Sequence, residues 1–190
     1  MKIQSKIYHH PKFCKMVTRR DIRLFRLLRP EFVELWEEIE NPVDRITGEE
    51  IPLSEEEVTV LVIRRCAEVL DRTGMVKNVK RLGDELLYRE SQAPTALGRG
   101  IAIPHVRSKN VKDLIMCLLR YPDGANMESL DREPVYLVFG IATPYFDDAN
   151  DYQKIYRKLF SIFDTDPSFV EELMEMQDAG EIVRILRQRD

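Results

Sequence analysis

Between residues 55 and 72 the apolar side chains recur at helical spacing, with Val58, Leu61, Val62, Cys66, Val69 and Leu70 on one stripe. Ser54 and Glu57 make a capping box at its start, and Gly74 follows its end. The pattern predicts a helix to about Arg72 and a second over 79–90. Two later runs, 114–119 and 135–142, are apolar almost continuously, as strands buried on both faces are. Ile101-Ala102-Ile103 reads as a further strand stopped by Pro104. Ile51-Pro52-Leu53 reads as a short edge strand, because proline removes one ladder donor. Helical spacing returns over 151–163, 167–176 and 181–187, with Pro167 suited to a first turn. Strands and helices in this order predict an α/β fold, a mixed β-sheet sandwiched between helices in three layers.

The first fifty residues read as a helical hairpin. Thr18 and Asp21 offer a start, Ile22, Phe25 and Leu28 follow at helical spacing, and Pro30 interrupts. Residues 31–40 read as a second helix with Phe32, Leu35, Trp36 and Ile39 on one face. The turn-rich connector from Asn41-Pro42 to Gly48 divides a helical N-terminal extension, 1–48, from a main domain, 49–190. Charge sharpens the division. Residues 1–29 carry nine bases and one acid, residues 30–53 one base and eight acids, and the remainder has a net charge of −5. A basic arm alone would suggest nucleic acid. The adjacent acidic stretch can neutralise it, so pairing of the two helices is expected and nucleic-acid binding is not.

No apolar run reaches the roughly 18–20 residues that span a bilayer, and the N-terminus lacks the apolar core of a signal peptide. A cytoplasmic protein without membrane insertion is expected. Three cysteines build no disulfide framework in a chain of 190 residues. Cys66 and Cys117 sit in apolar patterns and read as reduced core residues. Cys14 lies near His9 and His10, but no fourth ligand is close and the spacing matches no common zinc pattern. No metal site is expected.

Candidate chemistry gathers at His105. It follows a strand and a proline, and sites in open α/β sheets form at strand ends. Pro104 stiffens the backbone that presents the imidazole. Gly98 and Gly100 permit positive φ or close approach of an anion, and Arg99, Arg107 and Lys109 add positive charge. Arg89 and Thr95, sixteen and ten residues upstream, can return to the same place through a turn. A neutral imidazole nitrogen beside an arginine and backbone N–H groups suits phosphoryl transfer. A structural histidine capping a turn is the plainer alternative.

The stretch Arg89-Glu90 … Thr95-Ala96-Leu97-Gly98-Arg99-Gly100-Ile101-Ala102-Ile103-Pro104-His105 closely resembles the active-site signature of IIA components of the bacterial phosphoenolpyruvate-dependent sugar phosphotransferase system. The class is the fructose/mannitol one, which includes nitrogen-regulatory proteins. The resemblance covers roughly residues 50–188 and implies a mixed sheet between helices, with no cofactor. It implies that His105 accepts a phosphoryl group on Nε2 from the histidine-containing phosphocarrier protein, that Arg89 steadies the phosphate, and that Thr95 neighbours the site. Transport members pass the group to a IIB domain; nitrogen-type members control partner proteins. The family's second histidine, near the start of the helix after the last strand, aligns with Tyr152, which can donate a hydrogen bond but is not a cation at neutral pH. The appended N-terminal segment, with no transport domain in the sequence, favours a regulator over a transport component working in trans. A IIA-like binding protein that no longer turns over phosphate is the rival reading.

Overall fold

The computed structural model describes residues 23–146 and 150–189. The order of elements is α1 (Leu24–Leu27), β1 (Val33–Glu34), α2 (Glu55–Asp71), α3 (Val79–Gln92), β2 (Ala96–Gly98), β3 (Ile101–Ala102), β4 (His105–Ser108), β5 (Ile115–Ala125), β6 (Val135–Pro144), α4 (Asp151–Thr165), α5 (Phe169–Glu175) and α6 (Ala179–Arg189). The capping box forms as the sequence predicts: the Ser54 side chain accepts from Glu57 N–H and the Glu57 carboxylate accepts from Ser54 N–H.

The sheet runs β1-β5-β6-β3-β2, with β4 also on β6. β5 and β6 are antiparallel, whereas β3 and β4 both run parallel to β6 along its other side. Because successive strand residues face opposite ways, β5 supplies two cores. Cys117, Leu119 and Tyr121 pack toward α2 and α3, and Met116 and Leu118 pack toward α4, α5 and α6. This is the three-layer sandwich expected from runs apolar on both faces. Cys66 and Cys117 are buried free thiols. Among the described residues no helix is long and apolar enough to cross a membrane, and no cluster of metal-ligating side chains occurs. The segment holding His9, His10, Cys14 and the helix start at Thr18–Asp21 lies outside the described residues.

Residues 31–40 are not the helix that their spacing suggests. Pro30–Phe32 form one 3-10 turn, Val33–Glu34 pair with Leu118 and Leu119 of β5, and 36–40 form no regular element. Sheet pairing and charge outcompete helical propensity here. The Arg120 guanidinium, buried in β5, donates from Nε to the Leu35 carbonyl at 2.9 Å, and Glu37 N–H donates to the Arg120 carbonyl at 3.0 Å. Glu37 meets Arg65 of α2 at 2.8 Å, and Glu34 meets Arg72. The acidic stretch is thus neutralised in part by α2. Leu24, Leu28, Val33 and Leu35 join the core on the α4–α6 side. Residues 51–53 form no strand: beside an isolated bridge between Val43 and Glu50, Ile51 N–H donates to the Pro42 carbonyl and Leu53 N–H to the Asn41 side chain, while Pro52 between them cannot donate.

β3 and β4 are one run of chain broken at Ile103-Pro104. Pro104 has no N–H to give β6, yet its carbonyl accepts from Ile141 N–H at 2.8 Å, so the chain stays on the sheet and resumes pairing at His105 opposite Ile141. His105 is therefore the first residue of a strand rather than part of a loop after one.

Candidate functional site

His105 stands where β3 gives way to β4, held at both ring nitrogens. Nδ1 lies 2.8 Å from the Ile103 carbonyl, which can only accept, so the proton belongs on Nδ1 and Nε2 keeps its lone pair. Arg89, in the last turn of α3, brings Nη2 to 3.3 Å from Nε2 and donates from Nη1 to the Ala93 carbonyl at 2.9 Å. One arm of the guanidinium is thus anchored to the α3–β2 connection and the other reaches the imidazole.

The far side of the ring is aromatic. Tyr152 stacks on His105 with centroids 5.8 Å apart and planes 20° from parallel, and Tyr156 meets it edge-on at 5.5 Å. These two tyrosines are four residues apart on α4 and so share a face. The Tyr152 hydroxyl accepts from the Gln153 amide at 3.1 Å. The Arg107 guanidinium lies 4.6 Å from the Tyr152 ring centroid and also donates to Asn150. Stacking of this kind contributes about 0.5–1.5 kcal/mol, and the cation over the ring a comparable amount.

Other sequence candidates take different places. Thr95 is buried and turned toward Glu90: its hydroxyl donates to one carboxylate oxygen at 2.6 Å and its N–H to the other at 2.7 Å. Arg99 pairs with Asp164 at 3.2 Å, twelve residues beyond Tyr152 on α4 and so roughly 18 Å along the helix from the imidazole end. Lys109 lies over the Tyr145 ring. The glycines serve the turn: Gly98 and Gly100 have φ of 84° and 75°, and a Cβ on Gly100 would come within 2.8 Å of the Tyr136 ring. Beside the site a groove of about 830 Å³ opens between α3 and β4, with Lys80, Arg81, Arg89, Arg107 and Lys109 among its lining.

Burial pushes the His105 pKa below its ordinary value of 6.5; the Arg89 charge adds to this, while the hydrogen bond to Ile103 opposes it. Burial raises the Glu90 carboxyl, against the two bonds from Thr95. The imidazole is therefore neutral at neutral pH, with its lone pair on Nε2. Because the folded ring binds its proton less tightly than the unfolded one, the shift costs stability as pH falls below about 6.5. An NMR titration of the His105 ring should give a midpoint below 6.5. Arg89→Met should move that midpoint upward, since a nearby positive charge is removed. A wild-type midpoint above 6.5 would contradict the desolvated, arginine-facing ring.

A family model, the EIIA 2 domain of the phosphoenolpyruvate-dependent sugar phosphotransferase system, matches residues 51–189. The chain belongs to this family. The fructose-specific EIIABC component of Bacillus subtilis is 33% identical to this EIIA chain over 129 residues, which are 68% of the chain and 20% of that protein. The chain thus spans about a fifth of that relative's length. The nitrogen regulatory protein IIA-Ntr of Neisseria meningitidis has the same fold, with a TM-score of 0.70 at 23% identity over 85% of this chain and 97% of that one. The mannitol IIA enzyme of Escherichia coli, solved in complex with phosphorylated IIB, aligns with a TM-score of 0.63 at 25% identity, again over 85% and 97%. A IIA domain of this family therefore forms a complex with a IIB domain. Glu90, Tyr156 and Asn150 were not singled out from the sequence. Helical periodicity from Tyr152 was the available signal for Tyr156; Glu90 stands in the signature beside Arg89, but nothing in the local sequence marks it as buried or as the partner of Thr95.

Proposed function

We propose that the chain is a cytoplasmic phosphoryl carrier that accepts a phosphoryl group on His105 Nε2 from the histidine-containing phosphocarrier protein and acts mainly as a regulator. One observation carries this reading: Nδ1 is committed to the Ile103 carbonyl while Nε2 faces the Arg89 guanidinium. The Nε2 lone pair attacks the phosphorus of the donor's phosphohistidine; the new N–P bond forms as the donor's N–P bond breaks, and the donor imidazole leaves with that electron pair. The Ile103 carbonyl stabilises the positive charge that develops on the ring. Arg89 releases Nε2, a long contact at 3.3 Å, and turns its Nη2 to the equatorial oxygens.

Residues 24–40 lie ahead of the family match and pack into the core on the α4–α6 side, and this added segment supports a regulatory output through protein partners. The complex of a related IIA enzyme with IIB supports a IIB domain in trans as a second recipient, for sugar uptake of the fructose/mannitol type. Tyr152, which the family resemblance aligns with the second histidine, favours the rival reading of a binding protein without turnover. The test is incubation with phosphoenolpyruvate, enzyme I and the phosphocarrier protein, followed by intact mass. Gain of one acid-labile phosphate is expected; none leaves the binding protein.

Tyr152 contributes through its ring face. Tyr152→Phe keeps the stack and should change the phosphorylation rate by less than about 2-fold, whereas Tyr152→Ala should slow it by about 3–10-fold, the equivalent of one stacked aromatic pair. Rapid-quench rates for both variants check this, and a large loss in Tyr152→Phe would instead assign catalysis to the hydroxyl.

A further inference from the structure

Glu90 is a carboxylate only 8% exposed, in the last turn of α3, next to Arg89. Burying a charge is costly unless hydrogen bonds replace its water. Both donors that do so come from one residue, Thr95, itself 2% exposed. The clamp closes the five-residue step from α3 into β2, and what lies on either side of that step is the two ring nitrogens of His105.

On one side, the Thr95 carbonyl accepts from Ile103 N–H at 3.0 Å, and Ile103 is the residue whose carbonyl takes the Nδ1 proton at 2.8 Å. On the other, the Ala93 carbonyl inside the clamped step anchors Arg89 Nη1, whose sister nitrogen faces Nε2. We propose that Glu90 is a positioning residue: by clamping Thr95 it fixes both the proton on His105 Nδ1 and the arginine at Nε2, and so presents Nε2 to the incoming phosphorus. The assignment rests on His105 as the acceptor. It gives Thr95 a role one step from the imidazole, through Ile103, rather than a contact with phosphate.

The clamp matters because the strands that follow it are short. β2 has three residues and β3 two, so few ladder bonds hold Ile103 in place. Displacements of about 1 Å at a reacting group cost up to roughly 100-fold in rate. Loss of one of two clamp bonds should cost less, about 10-fold.

The test uses the full chain and three variants. Glu90→Gln replaces one acceptor oxygen by a donor, Thr95→Val removes the hydroxyl donor, and Thr95→Ser restores it. Nitrogen-15 NMR of the His105 ring reads the tautomer and titration midpoint without any partner, and single-turnover phosphorylation reads the rate. Glu90→Gln and Thr95→Val should lower the Nδ1–H population, move the midpoint away from its wild-type value and slow phosphorylation by about 10-fold. Thr95→Ser should keep all three near wild type. Amide spectra and thermal unfolding check the fold, and if Glu90→Gln does not fold, Thr95→Val carries the test. A folded Thr95→Val with the wild-type ring spectrum and rate overturns the proposal, even if its stability is lower. If the wild-type chain takes no phosphate, the carrier reading fails while the ring spectra still decide the clamp.

Discussion

His105→Ala should abolish phosphate incorporation from the phosphocarrier protein while leaving the fold intact. The loss should be complete because His105 is the only histidine among the described residues, and only a neutral imidazole placed this way supplies a nucleophilic lone pair near neutral pH. The wild-type adduct should be stable to base and lost in acid, as the N–P bond of a phosphoramidate is. Folding should survive the substitution. The ring's contacts are with Arg89, the Ile103 carbonyl and two tyrosines at the edge of the core, whereas the strand itself is held by backbone pairing with 141–144. Removing the ring also removes a buried group that resists protonation, so the variant should lose less stability than wild type as pH falls below about 6.5. Intact mass with and without acid treatment, beside thermal unfolding at two pH values, checks each point. Undiminished labelling of His105→Ala would place the acceptor elsewhere, with His9 and His10 the first candidates.

Long periodic segments carried their own instructions, and short ones did not. α2 announces itself through Ser54, Glu57 and a stripe ending at Leu70, because these local signals agree with the packing they enter; of the stripe only Leu61, at 46% exposed, turns away from the core. β5 and β6 were legible because continuous apolar runs have nowhere to go but the centre of a sandwich. β2 and β4 were not, since strands of three or four residues hold too little periodicity to separate from a turn. Pro104 added to this: proline reads as a stop, yet its carbonyl keeps the chain registered on β6. Residues 31–40 show the opposite failure. Phe32, Leu35, Trp36 and Ile39 satisfy helical spacing, but Trp36 is 60% exposed and lies beside Arg120 rather than in a helix–helix seam. What decided that segment was a buried arginine 85 positions downstream of Leu35, a partner no local window contains. Within the site, Arg89 and His105 were legible as residues, whereas the Glu90–Thr95 clamp needed the fold to bring its consequence into view.

Arg89→Lys should slow phosphorylation by about 10-fold or more, equal to roughly 1.4 kcal/mol of lost transition-state stabilisation. The reason is the forked geometry. Arg89 holds the Ala93 carbonyl with Nη1 and reaches Nε2 with Nη2, so one planar group is anchored at the α3–β2 connection while its second arm meets the imidazole. An ammonium is a single point of charge on a flexible stem and cannot do both at once. If it stays near Ala93 the phosphate loses its cation, and if it swings to the phosphate it loses the anchor and must be ordered at the moment of reaction. Binding of the phosphocarrier should change little, because Lys80, Arg81, Arg107 and Lys109 still line the adjoining groove. The loss should therefore fall on the rate at saturating donor rather than on the donor concentration giving half-maximal rate. Equal maximal rates and equal half-saturating concentrations for Arg89→Lys and wild type would make Arg89 a plain surface charge. A rise confined to the half-saturating concentration, with the maximal rate unchanged, would make it a docking residue for the partner.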